Sequence, residues 1–204
     1  MKTASAISQL VIDRLRESIQ VKEAILEDER LMDSVAEVGR ICTESLERGG
    51  KIILFGNGGS AADAQHIAAE FVGKFLKSRR ALAAIALNTN SSVLTAIGND
   101  YCYEEVFSRQ IEALGCPGDI AIGISTSGNS GNVIRALDSA KQRDMITAGM
   151  TGGSGGKLIS ETDYCLCVPS VETPRIQEAH IALGHIICEI VENHFSDECN
   201  PARS

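Results

Sequence analysis

Residues 123–130 read Gly-Ile-Ser-Thr-Ser-Gly-Asn-Ser, with hydroxyls at Ser125, Thr126, Ser127 and Ser130. An apolar segment (119–124) precedes this run, and an amphipathic one with Val133, Ile134, Leu137 and Ala140 follows. The periodicity predicts strand, hydroxyl-rich turn, helix. One Ser or Thr suffices to cap a helix. Four in six positions, at a helix N-terminus whose first N–H groups lack helical partners, suit a phosphate. A second strand–turn–helix is Phe55-Gly56-Asn57-Gly58-Gly59-Ser60. Its glycines permit close backbone approach, but no Gly-Lys-Ser/Thr follows and the spacing is not that of a dinucleotide fingerprint. Alone, such a turn is weak evidence. Two of them at the carboxyl ends of strands predict a ligand crevice.

On the helix after the glycine turn, His66 and Glu70 are four residues apart and share a face. Spacing alone is satisfied equally by an exposed helical pair and by a metal-ligand or acid/base pair. The last helix carries Arg175, Gln177, Glu178, His180 and His185 among Ile176, Ile181, Leu183, Ile186, Ile187 and Ile190. A histidine on so apolar a helix is most often a core residue with its hydrogen bonds met. Gln177 and His185 are separated by about 12 Å of helical rise. One metal could take both only if the helix is irregular near Gln177 or if the two come from different subunits. Gly98-Asn99-Asp100 reads by itself as a simple turn.

These residues need a scaffold, and its outline is legible. Two amphipathic helices span Thr3 to Arg48 with a break near Glu27 to Arg30, and Gly49-Gly50 ends the second. Strands are expected at Lys51–Phe55, Leu82–Leu87, Asp119–Ser125, Met145–Thr151 and Tyr164–Val168. Between them lie helices at Ser60–Lys77, Ser92–Ile97, Tyr103–Leu114 and Asn129–Arg143, a short turn at Ser154–Ser160, and a closing helix at Arg175–Phe195. The alternation predicts an α/β fold, a three-layer parallel-sheet sandwich of flavodoxin-like type with an N-terminal helical hairpin and a long C-terminal helix. No repeat or linker divides the 204 residues, so one domain is expected, with residues 1–48 as a helical extension and 49–204 as the core.

Composition narrows the partners. The net charge of −8 and the lack of a basic run argue against nucleic acid, so an anionic substrate must be held by local dipoles. Cysteines 42, 102, 116, 165, 167, 188 and 199 include no Cys-x-x-Cys pair, which favours reduced thiols in a cytoplasmic protein. No apolar stretch is long enough for a membrane span, and no signal peptide is expected.

The ordered set Gly56 to Ser60, Gln65-His66-x-x-x-Glu70, Gly98-Asn99-Asp100, Ser125 to Ser130 and Arg175-Ile176-Gln177-Glu178-x-His180-x4-His185 resembles the sugar isomerase (SIS) family. It is similar above all to the branch acting on heptose 7-phosphates, over nearly the whole chain. The resemblance implies aldose–ketose isomerisation of sedoheptulose 7-phosphate to D-glycero-D-manno-heptose 7-phosphate. That is the first step toward nucleotide-activated heptose for bacterial surface polysaccharide. It further implies a homotetramer with sites between subunits and one zinc per subunit on His66, Glu70, Gln177 and His185. The substrate set it implies is Asn57, Gly58, Gly59, Ser60, Glu70, Asn99, Asp100, Ser125, Thr126, Ser127, Ser130 and Gln177. Glu70 is expected as the base and His185 as the acid of an enediol mechanism. Two positions depart from the family pattern: Lys74 stands where an arginine is frequent, and Pro174 where some members have aspartate. Alternative functions on this fold are a non-catalytic partner of the replication initiator and a sugar-phosphate sensor. Glu70 and His185 favour the enzyme.

Overall fold

The structure, a computed structural model, describes residues 4–198. Helix α1 (Ala4–Glu27) and helix α2 (Glu29–Glu47) are separated by Asp28, whose carboxylate accepts the Leu31 N–H at 3.0 Å and caps the second helix. Strand β1 (Ile52–Gly56) leads into α3 (Gly59–Val72), and β2 (Ala84–Ala86) into α4 (Ser91–Asp100). A single 3-10 turn at Tyr103–Glu105 and α5 (Ser108–Leu114) come next. Then follow β3 (Ile120–Ile124), α6 (Gly131–Lys141), β4 (Ile146–Gly152), the short α7 (Leu158–Glu161), β5 (Tyr164–Val168) and α8 (Thr173–Glu198).

All strand pairings are parallel, in the order β2-β1-β3-β4-β5. The residues of β1 and β3 are buried throughout, as central parallel strands covered on both faces must be. Alternate side chains enter two separate cores. Ile52 and Leu54 of β1 and Ile120, Ile122 and Ile124 of β3 pack with α2, α3 and α8. Ile53, Phe55 and Ala121 pack with Val106, Phe107 and Ile111 and with α6. The expected three-layer α/β architecture with a helical hairpin and a long last helix is therefore present.

Several boundaries differ from expectation. Helix α3 stops at Val72, because Gly73 follows and the Arg79 guanidinium takes the carbonyls of Glu70, Phe71 and Gly73. Strand β2 is three residues long, an edge strand paired only with β1. Gly98-Asn99-Asp100 is the last turn of α4, and α6 starts after Ser130. The segment 154–160 holds only the start of α7, since Gly153, Gly155 and Gly156 have positive φ and form an irregular loop. Among the described residues no helix is long and apolar enough to cross a membrane, and the six cysteines there are free. Cys199 lies outside the described residues, as do the first three residues, on which the absence of a signal peptide was read.

Candidate active site and metal centre

The strand order reverses between β1 and β3. A ligand crevice in an open parallel sheet forms at that switch point, beyond the carboxyl ends of the strands. The loops leaving those two strands are the glycine turn and the hydroxyl run. Helices α3 and α6 start there from opposite faces of the sheet, and neither has a side-chain cap bond on its first N–H groups. Both positive dipole ends thus open on one crevice.

Ser125 and Ser130 face each other, Oγ to Oγ, at 2.9 Å. Ser127 Oγ accepts the Asn129 N–H at 3.2 Å. Gly128 has φ +66, and a Cβ there would overlap the Gly155 carbonyl, so the β4–α7 loop presses on the cradle from outside. The glycine turn is pinned by amides. Asn57 Nδ2 donates to Asn132 Oδ1 at 2.8 Å, Asn132 Nδ2 donates back to Asn57 Oδ1 at 2.9 Å, and Tyr103 OH donates to the same Oδ1 at 3.0 Å. This joins the start of α3 to α6 across the sheet edge. Asn132 and Tyr103 were not expected, since the sequence places both in helices and marks neither as a site residue.

Residues from two helices meet lower on α3. His66 Nε2 lies 3.0 Å from His185 Nε2 and 3.2 Å from Glu70 Oε1, and the ligand atoms of all three lie within 4.8 Å of one another. The approach depends on Gly184: a Cβ there would come within 2.5 Å of Ile67 Cδ1. Without it α3 and α8 could not cross this closely. The Phe75 ring packs against that of His185, ring centroids 5.1 Å apart. Nearby, Asp63 is half-buried with Oδ2 unpartnered. Burial raises its carboxyl pKa above the usual range, and the charge of His66 opposes that rise.

Gln177 is elsewhere. Helix α8 is regular from Thr173, and the Gln177 amide packs against Gly59 at the head of α3. Within one chain it belongs to the crevice, two turns from the triad. Asn99 and Asp100 are exposed at the end of α4, with Asn99 Nδ2 donating to Asp100 Oδ1 at 2.8 Å. The structure brings neither to the cradle by a hydrogen bond, although Tyr103 shortly after them reaches Asn57 of the glycine turn. Pro174 occupies the first turn of α8, where its missing N–H costs nothing. Lys74 is exposed just past the end of α3.

Two imidazole nitrogens and a carboxylate oxygen are a suitable donor set for a metal. A tetrahedral ion bound at about 2.0–2.1 Å holds its ligand atoms about 3.3 Å apart, close to the 3.0 and 3.2 Å seen here. The triad therefore fits an ion. Without one, a single N–H would be shared between the two Nε2 atoms. Chemically, two imidazoles and a carboxylate, suited to a metal or to acid/base work, stand on one side, and hydroxyls with open helix N-termini, suited to an anion, on the other. The approximately 10 Å of α3 between Gly59 and His66 is a span for an elongated phosphorylated substrate.

A family model described as SIS domain matches residues 15–152. A phosphoheptose isomerase of Aneurinibacillus thermoaerophilus is 54% identical over 186 residues, 91% of this chain and 94% of that protein. One from Roseiflexus sp. (strain RS-1) is 53% identical over 195 residues, 96% and 98% of the two chains. The solved structure of phosphoheptose isomerase GmhA from Neisseria gonorrhoeae superposes with a TM-score of 0.86 at 44% identity, over 92% of this chain and 99% of that one.

Proposed function

The chain belongs to the SIS-domain family and, within it, to the phosphoheptose isomerases, and on that premise we propose the following reaction and site. The enzyme interconverts sedoheptulose 7-phosphate and D-glycero-D-manno-heptose 7-phosphate. The observation that carries this is the meeting of His66, Glu70 and His185. A non-catalytic partner protein or a sensor has no use for a carboxylate and two imidazoles at hydrogen-bond distance.

Moving the carbonyl from C2 to C1 requires a proton to leave C1 and another to reach C2 through an enediol. Glu70 is the group of choice for the abstraction and return, since a carboxylate on carbon acids gives a reversible transfer on one face. His185 moves the hydroxyl proton between the two oxygens, a task suited to an imidazole. Ser125, Thr126, Ser127 and Ser130, with the N–H groups at the head of α6, hold the phosphate. Asn57, Gly58, Gly59, Ser60 and Gln177 contact the sugar chain near the head of α3. Asn99 and Asp100 are assigned to the substrate on family resemblance.

His66, Glu70 and His185 would hold one zinc per subunit, and because a carboxylate tightly bound to zinc is not a free base, Glu70 would give up one of its two roles during turnover. When bound, zinc supplies polarisation of the carbonyl and a fixed orientation of its oxygens. A ligand role for Gln177 requires it from a neighbouring subunit, because the regular α8 keeps it two turns from His185 of its own chain. The exposed apolar residues of α1 support a homotetramer with shared sites, in which residues 1–48 of a single-domain chain pack between copies. The free cysteines of the described residues support a cytoplasmic location.

The test is turnover of sedoheptulose 7-phosphate by the purified protein, before and after chelation and after added zinc. Conversion that is lost on chelation and restored by zinc is expected. No conversion by the folded, zinc-loaded protein would reject the isomerase reading. The Glu70→Gln variant is expected to lose about 10²-fold or more in kcat, with its size by light scattering unchanged.

A further inference from the structure

We infer that Glu192 and Arg79 are positioning residues, which hold segment 73–80 as a strap across the α3–α8 crossing and, through Phe75, set the plane of the His185 imidazole. This deepens the reading of the triad given above and rests on it.

Glu192 stands on α8 two turns beyond His185, with its side chain only 1% exposed. Its Oε1 accepts the Phe75 N–H at 2.8 Å, and its Oε2 accepts those of Leu76 at 2.6 Å and Lys77 at 2.8 Å. Three successive backbone donors around one carboxylate form an anion nest. Burial alone would raise the pKa of this carboxyl, but the three N–H bonds and the Arg79 charge outweigh it and hold it below the ordinary range. Glu192 is therefore ionised.

Arg79 completes the clamp. Its Nε lies 3.4 Å from Glu192 Oε1. Nη2 donates to the Glu70 carbonyl at 2.6 Å, and Nη1 to those of Phe71 at 2.8 Å and Gly73 at 3.1 Å. These carbonyls end α3 and lack helical partners. One buried ion pair thus ties α8 to the turn of α3 that bears Glu70. As a stability device such a pair is poor, because desolvation offsets most of its attraction. An apolar pair would fill the space as well, but it could not order three N–H groups of a segment without secondary structure.

What the order achieves is seen at Phe75. Its ring lies 5.1 Å from the His185 ring at 32°, and the His66 ring also lies 5.1 Å from that of His185, at 50°. The outer torsion of a histidine is broad. A flanking ring held by its own backbone N–H narrows it, and keeps Nε2 aimed at His66 and Glu70.

The experiment uses full-length Phe75→Leu, Glu192→Gln, Lys77→Ala and His66→Ala. Affinity for Co²⁺ is measured by competition with a chromophoric chelator, alongside the Co²⁺ absorption spectrum and the kinetics of sedoheptulose 7-phosphate turnover. Phe75→Leu is expected to weaken Co²⁺ binding by about 10–100-fold and to alter the spectrum. Its kcat is expected to fall by about tenfold or more while KM moves less than about threefold. Glu192→Gln is expected to do at least as much. Lys77→Ala loses only an exposed bond from Nζ to Asn193 Oδ1, and is expected to stay within about twofold in every readout. Phe75→Leu keeps the backbone donors of the clamp, so it decides the matter should Glu192→Gln fail to fold. Unchanged Co²⁺ affinity, spectrum and kcat in Phe75→Leu overturn the inference, even if its melting temperature falls. His66→Ala separates the two failures. If it abolishes Co²⁺ binding while Phe75→Leu does nothing, the triad stands and the strap role falls; if it leaves Co²⁺ affinity unchanged, both fall.

Discussion

At the scale of single residues, His180 and His185 show how far identity alone reaches. Both are histidines on one apolar helix, and nothing local separates them. His180 is fully buried, with Nε2 3.0 Å from the Thr151 carbonyl and Nδ1 unpartnered. The carbonyl can only accept, so Nε2 carries the proton. Burial pushes the imidazole pKa down to about 4, with the bond to Thr151 pulling the other way. An unfolded histidine titrates near 6.5, so between these values the unfolded chain binds the extra proton. The stabilisation is full above about pH 6.5 and is lost as pH falls toward 4, at a cost of roughly 3 kcal/mol. The melting temperature is expected to drop through this interval, and His180→Gln to flatten the drop. A profile for the parent that does not fall there would contradict the assignment. The residues hardest to foresee share one property: their partners are remote in sequence. Asn132 meets Asn57 across 75 positions, Tyr103 meets it across 46, and Glu192 meets Leu76 across 116. No periodicity records such pairs. The hydroxyl run and the glycine turn were legible because each is a continuous stretch of unusual composition.

At the scale of elements, legibility followed local rules where these operate unopposed. Asp28 marks the break between α1 and α2 because a side-chain cap is written in the chain itself. Helix α3 was expected to run to Lys77, since Phe75, Leu76 and Lys77 continue an acceptable helical composition. Arg79 and Glu192 override that propensity by taking the carbonyls and N–H groups a further turn would need. The loop after β4 was expected as a helical turn, and its positive-φ glycines make it irregular. That loop yields a sharp expectation. Gly128→Ala forces a side chain into a left-handed backbone and onto the Gly155 carbonyl. It is expected to destabilise the protein by more than about 1 kcal/mol in urea unfolding and to raise KM for the phosphorylated substrate. Unchanged values of both would mean that the cradle and the β4–α7 loop move apart freely.

At the scale of the whole molecule, α1 presents Ile7, Leu10, Val11, Ile12, Leu15 and Ile19 at 42–61% exposure along the helix. A lone chain has no reason to expose so much apolar surface on one helix. Leu15→Asp is expected to reduce the mass seen by light scattering below that of the parent and to lower activity with it. A parent that already runs as one chain would remove the shared-site proposal for Gln177. The sheet also divides labour. The triad stands on α3 and α8, which pack against one face, whereas the cradle begins α6, which packs against the other. The two meet at the loop ends, joined by the paired amides of Asn57 and Asn132. On the proposed assignment, chemistry and tail recognition fall on different layers of the fold. On that assignment, a substrate with its phosphate placed differently could be admitted by recasting the α6 layer while the α3–α8 layer is kept intact.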